Sequence, residues 1–178
     1  TNEWLIGVIP GPHCTKEFLQ PDYLENLVKS EFEVNFNSAR TGVRLNGEIP
    51  HWAREDGGEA GLHPSNIHDN AYAIGAMDLT GDQSILLGPD GPSLGGFVCS
   101  VCTASAQLWK LGQLHPGDKV RFSLLTLEEA EALKKLEREN IKIISDGGTE
   151  LNEINVDNGG RLLDSEYPVL VRETKGER

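Results

Sequence analysis

Short apolar runs, each closed by turn-forming residues, recur along this chain. That pattern restricts it to a fold assembled from short strands. Residues 4–9 form one such run, stopped by Pro10-Gly11-Pro12. Phe32, Val34 and Phe36 alternate with Glu33 and Asn35, as in a half-buried strand, and Val43 and Leu45 repeat the alternation around Arg44. Residues 71–79, 84–87, 97–103 and 119–124 read as further strands, the last introduced by the turn Pro116-Gly117-Asp118. Two segments have helical spacing instead. Tyr23, Leu24, Leu27 and Val28 lie on one face of 19–28, with Pro21 suited to a first turn. Thr126 and Glu129 form a capping box at the start of a second helix, whose apolar face is Leu127, Ala130, Leu133 and Leu136. Glu131 and Lys135 make a favourable pair on it. Residues 104–114 fit either a strand or a helix. Residues 51–70 read as a long irregular loop and 88–96 as a turn segment; long loops in compact domains are often functional. The sum is a mainly β chain with two helices, a barrel or a sandwich.

The length, 178 residues, suits one domain or one domain with a tail, and a 38% hydrophobic fraction sustains a core. The expected division is a folded unit over 1–144, a flexible Asp/Gly/Asn/Glu-rich linker over 145–165, and a last strand or the start of a following domain over 166–178. The chain opens on Thr rather than Met, at the edge of a strand, and reads as a piece of something longer. A net charge of −12 disfavours nucleic acid. No apolar run approaches the ~20 residues of a membrane span, and no basic stretch precedes the first apolar run as in a signal peptide. Cys14, Cys99 and Cys102 are too few for a disulfide framework. Cys99 and Cys102 form a CxxC with no second ligand pair for zinc, so reduced thiols, no metal site and a reducing, cytoplasmic compartment are expected.

Three clusters carry candidate chemistry. Gly91-Pro92-Ser93-Leu94-Gly95 matches G-x-S-x-G, which in hydrolases is a strand–turn–helix elbow exposing a nucleophile. No His follows Asp118 to complete a triad in that order, and a plain tight turn is the simpler reading. A third reading uses Gly95 and Gly96, whose bare backbone lets N–H groups approach a carbonyl oxygen, with Ser93 adding a hydroxyl. Asn66, His68, Asp69 and Asn70 crowd hydrogen-bonding side chains into one loop. Such a loop satisfies its own backbone, or recognises a small amide-like ligand; a metal is disfavoured because adjacent residues rarely face one ion. Arg40 and Arg44 share a face if both lie in a strand, as surface charge or as a pair for carboxylate-like groups.

Four motifs in order then resemble one family. Ile9-Pro10-Gly11-Pro12 and Ser38-Ala39-Arg40-Thr41-Gly42-Val43-Arg44-Leu45-Asn46-Gly47 resemble the "PGP… SxRxGxRLxG" signature of the allophanate hydrolase subunit 2 family. Residues 87–97, with Asp90 and Gly95-Gly96-Phe97, look like its "LxDxxTxGGY", and residues 113–122 like its "QLxPGDxVRF". The likeness covers about 4–135. "GGEAGLHPSNIHDNAYAIGAMDLTGD" and "LGPDGPSLGGFVC" are similar to the urea carboxylase branch of that family, including fungal urea amidolyases. The chain departs from other branches where Gly75-Ala76-Met77-Asp78 replaces "GAIQ" and Ser93-Leu94 a Thr pair.

The resemblance implies a cyclophilin-like β-barrel and a share in the carboxyltransferase of a biotin-dependent urea carboxylase. There carboxybiotin delivers CO2 to urea and gives allophanate, the biotin ureido group itself taking the proton. Asn66 is then expected to hold urea with His68, Asp69 and Asn70 as neighbours, Ser93, Gly95 and Gly96 to polarise a carbonyl, and Arg40 and Arg44 to line the site. The implied partners are urea, a biotin carrier domain, a biotin carboxylase domain that uses ATP, and a subunit 1-like half supplying the other wall of the site. The alternatives are a non-catalytic regulatory or binding barrel of the same family, and a serine esterase acting through Ser93.

Overall fold

The computed structural model of the chain describes residues 2–152. Its strands are β1 (Glu3–Pro10), β2 (Phe32–Val34), β3 (Gly42–Asn46), β4 (Asn66–Ala71), β5 (Ala76–Thr80), β6 (Gln83–Leu87), β7 (Leu94–Thr103) and β8 (Lys119–Leu124). Its helices are α1 (Tyr23–Lys29), α2 (Leu108–Leu111) and α3 (Leu127–Ser145). The strands run in the order β1-β8-β2-β3-β6-β5-β7, and pairing of β1 with β7 closes the ring. The architecture is a closed seven-stranded barrel, with β4 added to β7 as an outlying arm. The expected β-barrel is therefore present, and the sandwich is not.

Alternation builds the interior. Ile6, Val8, Phe32, Val34, Leu45, Met77, Leu79, Leu86, Val98, Val120 and Phe122 point inward and form one buried cluster. A barrel of this size is filled by its own side chains and leaves no channel. Tyr23 and Leu27 of α1 join that cluster, and the Tyr23 hydroxyl donates to Ser100 Oγ at 2.8 Å. Burial pushes the Tyr23 phenol well above its ordinary range.

Asp118 clamps the parallel pair β1–β8. Its Oδ1 accepts from the Asn2 N–H at 2.9 Å, and its Oδ2 from Trp4 Nε1 at 3.1 Å and the His115 N–H at 3.0 Å. The Pro116-Gly117-Asp118 turn thus fixes strand register as well as reversing the chain.

Several expectations shift for local reasons. β2 stops at Val34 because Asn35 turns the chain: its Oδ1 accepts from the Asn37 N–H at 2.8 Å. Phe36, expected in that strand, is 78% exposed. α1 starts at Tyr23 rather than 19, since the N–H groups of Phe18 and Leu19 already turn onto the Thr15 carbonyl. Residues 104–114 become a 3-10 turn and α2, a third helix beside the two expected. The capping box of Thr126 and Glu129 is present, but Lys135 pairs with Glu139 at 3.9 Å rather than with Glu131. Past α3, Asn152 exchanges two hydrogen bonds with the Asn140 amide, so the first residues of the expected linker lie back along the helix. Residues 153–178, with the expected last strand, lie outside the described residues.

Candidate functional site

Six of the candidate residues lie on the β4–β7 arm. Asn66, Ile67, His68, Asp69 and Asn70 lie in β4 and not in a loop, and Gly95 and Gly96 lie in β7 and not in the preceding turn. Polar and glycine-rich stretches carry no alternation signal, yet their backbones still pair. Asn66 faces Phe97 and Asn70 faces Gly95, so four steps on β4 match two on β7. The surplus forms a bulge that leaves His68 and Asp69 exposed. Asn70 Nδ2 is committed to the Ala71 carbonyl at 2.8 Å. The half-buried Asn66 side chain, by contrast, makes no hydrogen bond among the described residues.

Close packing explains the two glycines, Tyr72 the first and the Ile67 carbonyl the second. The Tyr72 hydroxyl donates to the Phe97 carbonyl and accepts from the Phe97 N–H, both at 2.7 Å. A Cβ on Gly95 would come within 2.8 Å of the Tyr72 ring, and one on Gly96 within 3.0 Å of the Ile67 carbonyl. Burial pushes the Tyr72 phenol up to about 12, so it stays protonated and able to donate.

Arg54, Phe18 and His13, which the sequence did not single out, support this arm. Arg54 Nη1 donates to the Asn66 carbonyl at 2.9 Å, and its guanidinium lies 4.4 Å from the centre of the Phe18 ring. His13, edge-on to Phe18, accepts the Cys99 N–H on Nδ1 at 3.0 Å. Burial, then the Arg54 charge, push His13 below the usual imidazole range and keep it neutral. Gly11 must be glycine, because a Cβ there would sit 2.7 Å from the Cys99 carbonyl. The available signal was the proximity of His13 to the Pro10-Gly11-Pro12 motif; nothing in sequence links Arg54 to Asn66.

Arg40 and Arg44 do not share a face as expected. Only Arg44 lies in β3, and its Nη1 reaches back to the Asn37 carbonyl at 2.7 Å. Arg40 precedes the strand and grips Asp90 with two bonds of 2.6 and 3.0 Å. Asp90 and Ser93 share the β6–β7 loop, so Arg40 anchors the loop that presents Ser93. The Ser93 carbonyl accepts from the Tyr72 N–H, and its hydroxyl is exposed with no hydrogen bond among the described residues. The esterase alternative fails here. A nucleophile elbow needs a helix after the serine, and β7 follows Ser93 at once.

Among the described residues no group of three or more His, Cys, Asp or Glu is arranged to hold a metal ion. No described helix is long and apolar enough to cross a membrane.

The chain is thus a closed β-barrel bearing a polar arm that presents amide and hydroxyl groups. Its sequence matches the model of the carboxyltransferase domain, subdomain A and B, over residues 1–124, and the chain belongs to that family. Among curated proteins it is 44% identical over 175 residues to the urea amidolyase of Saccharomyces cerevisiae, covering 98% of this chain and 9% of that protein. It is 47% identical over 145 residues to the urea amidolyase of Lachancea kluyveri, covering 82% of this chain and 8% of that protein. Among solved structures, the urea carboxylase of Kluyveromyces lactis superposes with a TM-score of 0.77 at 47% identity, over 85% of this chain and 14% of that one. The chain therefore spans about a tenth of the length of the curated relatives it matches.

Proposed function

We propose that this chain forms part of the carboxyltransferase of a biotin-dependent urea carboxylase, which carboxylates urea to allophanate. The observation that carries the reading is the 44% identity to a urea amidolyase across 98% of the chain. The second carboxyltransferase half, the biotin carboxylase that uses ATP and the biotin carrier are partners in this reading, and all lie outside the described residues.

The donor set of the arm fits a ureide, the group common to urea and biotin. A primary amide offers one acceptor and two donors in a plane, and urea is its complement. The unpaired Asn66 amide can therefore accept a urea N–H on Oδ1 while Nδ2 donates to the urea carbonyl. His68, Asp69 and Asn70 flank it along the bulge and serve the second urea nitrogen. Ser93 polarises a ureide carbonyl, and Gly95 and Gly96 serve it indirectly, by letting β7 pack against the Tyr72 ring and the Ile67 carbonyl. Arg40 and Arg44 act indirectly, Arg40 through Asp90 on the Ser93 loop and Arg44 on the turn at Asn37. Biotin, when bound, supplies the carboxyl group.

The test replaces Asn66 with Ala in the complete enzyme. Loss of two hydrogen bonds of ~1 kcal/mol each predicts urea carboxylation down about tenfold or more, with ATP-dependent biotin carboxylation unchanged. Parental rates in both assays reject the assignment.

A further inference from the structure

A second bulge, in β7 against β5, builds a dithiol on the barrel wall. Ala76 pairs with Cys102 and Asp78 with Cys99, so three steps on β7 match two on β5. In a regular strand, residues three apart point to opposite faces. The surplus residue returns Cys102 to the face of Cys99. That face is opposite the one carrying Met77 and Leu79 into the core; it holds Tyr72, Ala76, Leu87 and Cys99. The two sulfurs lie 3.8 Å apart. Their Cα atoms stand opposite residues two apart on β5, hence about 6.6 Å apart at ~3.3 Å per residue. A disulfide spans roughly 4.4–6.8 Å between Cα atoms, so this spacing falls at the upper end of the range a disulfide accepts.

The chemistry around the pair is asymmetric. Cys102 is partly open to solvent and Cys99 is buried. The hydrogen bond between the sulfurs pulls the Cys102 thiol below its ordinary range and pushes Cys99 above it. Asp78, in register with Cys99, is 3% exposed and its Oδ1 has no hydrogen-bond partner.

We propose that Cys102 and Cys99 form a peroxide-reactive pair that closes to an intramolecular disulfide. The Cys102 thiolate attacks one oxygen of a hydroperoxide. An S–O bond forms, the O–O bond breaks, and the departing hydroxide or alkoxide takes a proton from solvent or from the Asp78 carboxyl. Cys102 is oxidised to a sulfenic acid and the peroxide is reduced. The Cys99 sulfur then displaces the sulfenic hydroxyl: the S–S bond forms, the S–O bond breaks, and water leaves with the thiol proton.

The test is peptide mapping of the complete enzyme after hydrogen peroxide. Trypsin releases 55–110, which carries both thiols, separately from the peptide carrying Cys14. The expected product is 55–110 lighter by two hydrogens and closed to alkylation until reduced, with Cys14 still alkylated. It should form at least tenfold faster than in guanidinium-unfolded protein. In Cys99→Ser, dimedone should trap a sulfenic acid on Cys102. Both thiols remaining alkylatable, an equal rate in the unfolded chain, or no dimedone adduct overturns the proposal.

Discussion

The Tyr72 hydroxyl serves both backbone groups of Phe97, donating to its carbonyl and accepting from its N–H, each at 2.7 Å. One side chain thus replaces a ladder rung where the bulge interrupts strand pairing, and it holds the arm carrying Asn66 against the barrel. Tyr72→Phe keeps the ring and orphans two backbone groups, which costs about 1–3 kcal/mol. Chemical unfolding should show that loss, and amide exchange at Phe97 should quicken. Gly95→Ala should cost at least as much, since its Cβ would press the Tyr72 ring at 2.8 Å. The two changes should be non-additive in a double-mutant cycle, because a ring displaced by the new Cβ also loses its hydroxyl bonds to Phe97.

Asp118 makes stability depend on acid. The Asn2 N–H first, then those of His115 and the Trp4 indole, hold its carboxyl below the ordinary value of 3.8. The folded state therefore binds fewer protons than the unfolded one in the acid range. Its contribution is fully present above about pH 4 and is lost as pH falls through the folded value. Asp118→Asn turns an NH2 toward donors. It should be less stable at pH 7 and show a shallower loss below pH 4, measured by chemical unfolding across that range.

The barrel was legible wherever pattern and burial coincide. β8 begins and ends where the alternation of 119–124 does, and Thr126 caps α3 with Glu129 as its spacing dictates. β4 was not legible, because Asn66, His68, Asp69 and Asn70 offer no apolar face and their strand exists only through its partner. The glycines of 95–96 were visible as bare backbone, but the ring of Tyr72 that demands the first of them lies over twenty residues away in sequence. Phe36 misled for the converse reason: its alternation is intact, and the side chain of Asn35 overrides it.

Asp78 gives the opposite pH dependence to Asp118. Burial, then the charge of Cys102, push its carboxyl up from 3.8 to about 7. A raised folded value means the folded state holds its proton longer. The contribution is intact below about pH 4, falls as pH rises toward 7, and is level above that. Asp78→Asn keeps the shape without the charge. It should therefore match the parent near pH 4 and exceed it by about 4 kcal/mol at pH 8, at ~1.4 kcal/mol for each unit by which the folded value is raised. A constant difference between the two proteins across that range would show that Asp78 does not titrate there.

Arg54 is expected to set the position of Asn66 without touching the ligand. Its Nη1 holds the Asn66 carbonyl at 2.9 Å, and its guanidinium plane lies 4.4 Å from the Phe18 ring centre. A lysine reproduces the charge but not the flat fork that bonds and stacks at once. Arg54→Met and Arg54→Lys should both raise the KM for urea several-fold in the complete enzyme while ATP-dependent biotin carboxylation is unchanged. Amide exchange around Asn66 should quicken in the same variants. Combined with Asn66→Ala, Arg54→Met should add little further, because the group it positions is already gone. An unchanged KM with faster exchange would mean that Arg54 only braces the strand.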